Sequence, residues 1–510
     1  MKLSLLPMLA AAAALLALCP STFAQQAPSQ EGYDQPYRPQ VHFSPQKNWT
    51  NDPNGLVYFE GEYHLFFQYN PFGDQWGHMS WGHAVSTDLA HWHELPVAIP
   101  EDAHGMIFTG STVVDRNNTS GFCAHHHACL VAIYTVDAHT PAGGHETQNI
   151  AYSNDRGRTW TRYEKNPVLD LQMQDFRDPS VSWNEAAHKW IMAVALPTEH
   201  KVRFYSSTNL KDWALASDFG PTGSTAGAWE CPDLLAIPSA SGKGTLWALK
   251  VGINPGAPQG GSGEQFFLGS FDGARFTPLN EPGAHGWTNT GKDDYCAISY
   301  NGLPANSKPI LLGWMNNWQY AGKLPTSPWR GQFSLPRRLT YIHDQAGYAL
   351  RQSPVIAPLR TGFPQTITSK NAAHIEANAP YELNLTFPQD ASAPTGIRLR
   401  SDADHYTEIG FDPARYLFYI DRTHSGLAIA KDFPARTETS IVSARSLNLT
   451  LIVDRSSVEA YAQDETIAMT DLIFPPSPKV AIEFFPASGK ATTGKLWRLA
   501  SSWPSANAAK

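Results

Sequence analysis

Three carboxylates stand in unusual company along this chain. Asp52 sits in "NWTNDPNG", between an asparagine and a Pro-Asn-Gly turn, with aromatic and β-branched residues directly after it. Asp178 sits in "DFRDPSV", between Arg177 and Pro179, and Glu230 sits in "AWECPDL", between Trp229 and Cys231. Solvated acids usually occupy charged turns, whereas each of these adjoins a strand-like stretch in an aromatic or cysteine-bearing setting. Asp-Pro-Asn-Gly is also ordinary turn chemistry, because proline presets φ and Asn-Gly tolerates φ > 0. Yet a turn at the lip of a strand holds its side chain rigidly, and a reacting group needs that rigidity. Acids that converge repel one another, and burial against Trp or Cys disfavours ionisation, so one of them could hold a proton near neutral pH. For any single acid the alternative is a turn carboxylate satisfied by backbone N–H groups.

Other chemistries lack their motifs. The chain has no phosphate-binding GxxxxGK[ST], no HExxH and no GxSxG. "GGSG" at 260–263 lacks the spacing of a dinucleotide loop. "CAHHHAC" (123–129) offers five possible zinc ligands, but adjacent ligands in a short loop rarely face one centre, and nothing elsewhere supplies a second half-site. A solvent loop is the reading adopted there, with a Cys123–Cys129 disulfide left open. No metal and no cofactor are expected.

The elements that must position the three acids read as strands. A phrase recurs: "STDLAHW" (86–92), "SNDRGRTW" (153–160) and "STNLKDW" (207–213), with "GSFDGARF" (269–276) as a looser copy. Each is a polar turn ending in an aromatic that would plug the space between neighbouring sheets. The separations suit blades of four strands and a long loop. Between them lie runs such as "YHLFFQYN", "LVAIYTV" and "KWIMAVAL", and capped helical stretches are nearly absent. A radial array of small antiparallel sheets, a β-propeller, fits best, and it brings the same edge of every blade to one central mouth. After about residue 345 the pattern becomes strictly alternating. Leu447, Leu449, Leu451 and Val453 share a face before "DRSS" turns the chain. That part reads as a β-sandwich. The expected division is a signal peptide at 1–24, an N-terminal linker at 25–37, a propeller at 38–345, a linker at 346–365 and a sandwich at 366–505.

Composition agrees with an all-β protein. Charged residues make up only 16% of the 510, beside 16 Trp, 19 Tyr and 24 Phe. The net charge of −8 and the absence of a basic cluster argue against nucleic acid or an anionic membrane as partner. Lys2, the apolar run after it and the small residues Thr22 and Ala24 read as a secretory leader cut after Ala24, giving a secreted or periplasmic protein. Cys19 follows the bulky Leu18, which disfavours lipidation, and the four remaining cysteines are too few for a disulfide scaffold.

"NWTNDPNG", "FRDP" and "WECPDL" together resemble the three acidic motifs of glycoside hydrolase family 32, the β-fructofuranosidases. "YHLFFQYNP", "WGH", "FTGS" and "LGWMNNW" agree, and "LPTSPWRGQFSLPRRL" (324–339) is similar to the exo-levanase and exo-inulinase branch. The resemblance is dense over 38–340 and looser in the tail. It implies a five-bladed propeller followed by a β-sandwich, with Asp52 as nucleophile and Glu230 as general acid/base. Asp178, beside Arg177, would hold fructosyl hydroxyls. Asn51, Gln68, Trp76, Phe108, Ser111, Tyr295 and Trp314 would line the sugar pocket. Thr50 and Thr109 depart from the family's usual Met and Ser. The implied activity is retaining removal of terminal β-fructofuranosyl units from fructans, and from sucrose. A sucrose-preferring invertase, a fructosyl-transferring enzyme and a lectin-like binding propeller are the alternatives.

Overall fold

The computed structural model describes residues 33–124, 127–138, 144–369, 379–388, 393–443, 445–477, 480–486 and 492–503, and the backbone of 374–375. The expected leader, Cys19 and residues 25–32 of the expected linker lie outside these, as do His125 and His126 of the histidine loop.

Five sheets, antiparallel except for a short parallel pairing of Asn48 and Trp49 with Trp329 and Arg330, follow one another along the chain. Their innermost strands are Asn48–Phe59, Met106–Asp115, Arg177–Asn184, Ala228–Pro238 and Tyr295–Ser299. Each packs on the next, and the fifth packs on the first, so the five sheets close a ring. The strands read as they do because most are covered on both faces. All nine residues of Cys129–Asp137, "CLVAIYTVD", are buried, and the apolar run continues where a half-exposed strand would alternate.

The recurring turns do what their residue types allow. Ser86, Ser153 and Ser207 each accept a backbone N–H with Oγ, and Asp88, Asp155, Asn209 and Asp272 each accept one or two more. The aromatics that end the turns sit against neighbouring blades: Trp160 meets Phe66 edge-on at 5.5 Å, and Phe276 meets Phe219 at 5.3 Å.

The fifth sheet ends with Gly347–Pro354, paired along its whole length to Arg337–Asp344. The propeller thus runs past residue 345, and the linker expected at 346–365 is this strand, a short turn and the start of the strand Arg360–Thr368. Two six-stranded sheets then face each other. Leu447, Leu449, Leu451 and Val453 fall in their shared core with Ile397, Phe411 and Ile482, which is the alternation read from the sequence.

The sandwich is joined to the propeller through buried charge. Arg422 donates to Asp293 Oδ2 at 2.6 Å, to Tyr320 Oη at 2.8 Å and to the Leu472 and Phe433 carbonyls at 2.7 and 2.8 Å. Asp454 accepts from the backbone of Gln40 and Val41, both at 2.9 Å, and pairs with His42. The two ends of the described chain also meet. Tyr33 stacks on Trp503 at 3.9 Å, and Trp503 Nε1 donates to the Pro39 carbonyl at 2.8 Å.

Candidate active site

All five inner strands carry the same irregularity. Pairing jumps from Thr50 to Pro53, Ile107 to Gly110, Arg177 to Ser180, Glu230 to Asp233 and Tyr295 to Ile298, with one residue too many each time. These are β-bulges, which re-aim side chains and end regular pairing. Most of the candidate side chains sit at or inside them: Asn51 and Asp52, Phe108, Arg177 and Asp178, Glu230, and Tyr295. Asp178, Cys231 and Cys296 hold φ of 66°, 48° and 46°, a region that costs a non-glycine residue about 1–3 kcal/mol and clusters at working sites.

The bulges surround a cavity of about 390 Å³. Asn51, Asp52, Gln68, Trp76, Phe108, Arg177, Asp178 and Glu230, all candidates from the sequence, line it. Thr109, Glu146, Asp175, Asn254 and Trp318 complete the wall. Three sequence candidates stand behind it. Ser111 sits past the bulge, where its hydroxyl donates to the Pro179 carbonyl at 2.9 Å and accepts from Val181 N–H at 2.8 Å, tying two blades. Trp314 is fully buried and backs Trp318, with ring centres 4.9 Å apart. Tyr295 is buried too, and its hydroxyl donates to Glu230 Oε2.

Each acid is held differently. Asp52 Oδ2 accepts from Thr109 Oγ1 at 3.1 Å, and the Asn51 side chain and the Asp52 backbone also lie close enough to favour its charge. Burial, and then the nearby Glu230 charge, push the Asp52 carboxyl up to about 6. Asn54 lies one layer back. In the amide orientation that satisfies its surroundings, it donates to Thr109 Oγ1 at 3.2 Å and accepts from Gln68 Nε2 at 2.9 Å. Trp49 fixes Asn51 through a 2.7 Å bond.

Asp178 is held well above the carboxylate range, chiefly by burial, and its Oδ2 accepts from Cys231 N–H at 2.9 Å. Glu230 Oε1 accepts from Arg177 Nε and Nη2 at 3.1 and 3.0 Å. The other face of Arg177 donates to Glu146 and Asp175 at 3.0 Å. Burial lifts Glu146 to about 7. Five acids share the wall with a single cation, Arg177, and it is the ionised form of Asp52 that sets negative charge against positive charge developing on a bound molecule.

The four described cysteines are paired, Cys123 to Cys129 and Cys231 to Cys296. The first pairing is the one left open from the sequence. The second was not expected, and it lies against the site: both sulfurs come within 4.8 Å of an Asp52 carboxylate oxygen. No helix among the described residues is long and apolar enough to cross a membrane.

Two family models cover the chain, the glycosyl hydrolases family 32 N-terminal domain over residues 42–354 and the family 32 C-terminal domain over 348–499. A levanase from Bacillus subtilis (strain 168) is 42% identical over 484 residues, 92% of this chain and 71% of its own. An extracellular exo-inulinase from Aspergillus awamori is 40% identical over 92% of this chain and 96% of its own. The crystal structure of that exo-inulinase superposes with a TM-score of 0.87 at 39% identity, covering 92% of this chain and all of the other. A β-fructofuranosidase from Schwanniomyces occidentalis, solved with fructosyl-erythritol, gives 0.82 at 32%, covering 92% and 99%. Three carboxylates on bulged inner strands, both domain models and relatives aligned over nearly the whole length lead to one conclusion: the chain belongs to glycosyl hydrolase family 32 and is a glycoside hydrolase.

Proposed function

We propose that this is an exported exo-β-fructosidase that removes terminal, non-reducing fructose from fructans, and from sucrose, with retention of configuration. Asp52 attacks the anomeric carbon while Glu230 protonates the departing oxygen, giving a fructosyl ester on Asp52. Glu230 then takes a proton from water, which hydrolyses the ester. Asp178 and Arg177 hold sugar hydroxyls, Arg177 also orients Glu230, and the surplus of acids favours the oxocarbenium-like transition state. The observation that carries this reading is the convergence of Asp52 and Glu230 on one cavity, where burial and the Glu230 charge raise the Asp52 carboxyl. A binding propeller has no use for an acid held that way. The levanase and exo-inulinase relatives support the fructan substrate, and the leader-like N-terminus supports export.

Incubating the purified protein with levan, inulin and sucrose separately tests the assignment. Fructose as the sole product of both polymers is expected; a ladder of oligosaccharides would mean internal cleavage. Proton NMR of the first product distinguishes retention from inversion, and inversion would remove the ester intermediate. Glu230→Gln is expected to lower kcat about 10²- to 10⁴-fold on fructan, and less on substrates with activated leaving groups.

A further inference from the structure

Cys231 and Cys296 occupy equivalent places in adjacent blades. Each is the first residue inside its bulge, and each follows a residue of the site, Glu230 in one strand and Tyr295 in the other. Both lie in the left-handed region that a side chain enters only when its surroundings hold it there. Cys231 is tied at every polar atom. Its N–H donates to Asp178 Oδ2 at 2.9 Å, its carbonyl accepts from the buried Lys250 Nζ at 3.0 Å, and its sulfur is bonded to Cys296. Beyond Cys296, Ala297 N–H donates to Glu264 at 3.3 Å, and Glu264 pairs with the same Lys250. The Tyr295 hydroxyl returns to Glu230, so the two bulges are joined both through the sulfurs and through the side chains before them. The bridge is buried, and both of its sulfurs lie within 4.8 Å of an Asp52 carboxylate oxygen.

The geometry points to the Cys231–Cys296 disulfide as a positioning element of the active site, which fixes Glu230 against Tyr295 and forms the dry floor under Asp52. The inference rests on the roles given above to Asp52 and Glu230. Two effects follow from breaking the bridge. The bulges relax independently, and Glu230 loses its fixed approach to the leaving oxygen. The floor opens to water, which favours ionised Asp52.

The test compares Cys296→Ala with Cys123→Ala/Cys129→Ala, which removes the other disulfide far from the cavity. Cys296→Ala is expected to lower kcat on fructan about 10- to 100-fold, the range that small misplacements of reacting groups produce, with KM within threefold. The acidic limb of its pH profile is expected to move to lower pH. The control variant is expected to keep wild-type kcat and pH profile. In that control only the Cys231–Cys296 bridge remains among the described cysteines. Stepwise reduction with a phosphine should release two thiols in parallel with loss of kcat, and reoxidation should restore it. Should Cys296→Ala fail to fold, the reduction series decides; should the bridge resist reduction, Cys296→Ala decides. Two free thiols, or a folded Cys296→Ala, with kcat and pH limb unchanged would overturn the inference. Glu230→Gln separates the two readings: near wild-type turnover there would remove the catalytic assignment itself, while an inactive Glu230→Gln beside a normal Cys296→Ala would remove only the role of the bridge.

Discussion

Asp52 carries opposite demands at the scale of one residue. Its folded value of about 6 lies above the ordinary 3.8, so the fold prefers its protonated form. The stability that comes from this preference is full below pH 3.8 and gone once the pH has risen through about 6. At neutral pH the fold therefore carries an ionised buried acid at a cost of no more than about 3 kcal/mol. Asp52→Asn keeps the shape without the charge. It is expected to abolish turnover and to raise Tm at pH 7 while leaving Tm at pH 3.5 close to wild type. Calorimetry at the two pH values checks this, and a lower Tm at pH 7 would contradict it. The same group governs the wild-type rate in acid: kcat/KM is expected to fall about tenfold per unit below pH 6, as attack requires ionised Asp52.

The strands and turns account for how much of this could be read in advance. Serine, aspartate and asparagine cap their own turns, so the phrase ending in tryptophan marks blades from local chemistry alone. The three acids are legible for the same reason, since each lies in a compact motif. The bulges are not, because an extra residue exists only relative to the partner strand. That is why Ser111 looks equivalent to its neighbours in sequence, while Thr109, two residues earlier, is the one that reaches Asp52. Glu146 and Asn254 come to the wall from strand ends without motifs of their own, whereas Asp175 and Trp318 lie inside "DFRDPSV" and "LGWMNNW", where nothing in the sequence marks them as facing the cavity. The Cys231–Cys296 pairing spans 65 residues and is a product of blade closure. Trp76 belongs to the loop between the second and third strands of the first blade, where it is 47% exposed and meets Phe108 edge-on at 6.2 Å. Such an aromatic rim offers a sugar face about 0.5–1.5 kcal/mol. Trp76→Ala is expected to raise KM for fructan oligosaccharides up to about tenfold with little change in kcat, as measured by initial rates.

Across the whole molecule, propeller and sandwich share a charged seam closed to solvent. Asp293 and Arg422 are both fully buried, and Tyr320 and the Leu472 N–H also donate to Asp293. Removing one member strands the other's charge, which typically costs about 3–5 kcal/mol. Arg422→Ala is expected to lower the unfolding free energy by that amount, read as a lower urea midpoint, and to do so equally at low and high salt, since buried pairs escape screening. An independent early transition of the sandwich in the variant, absent from wild type, would show that this pair couples the two lobes.

The stack of Tyr33 on Trp503 has a practical reading. Because the described residues begin and end side by side, a short peptide joining Tyr33 to Trp503 is expected to let the polypeptide be opened at a surface hairpin instead. Such a permuted protein should assemble the same ring, with its start and finish moved to whichever rim an engineer chooses.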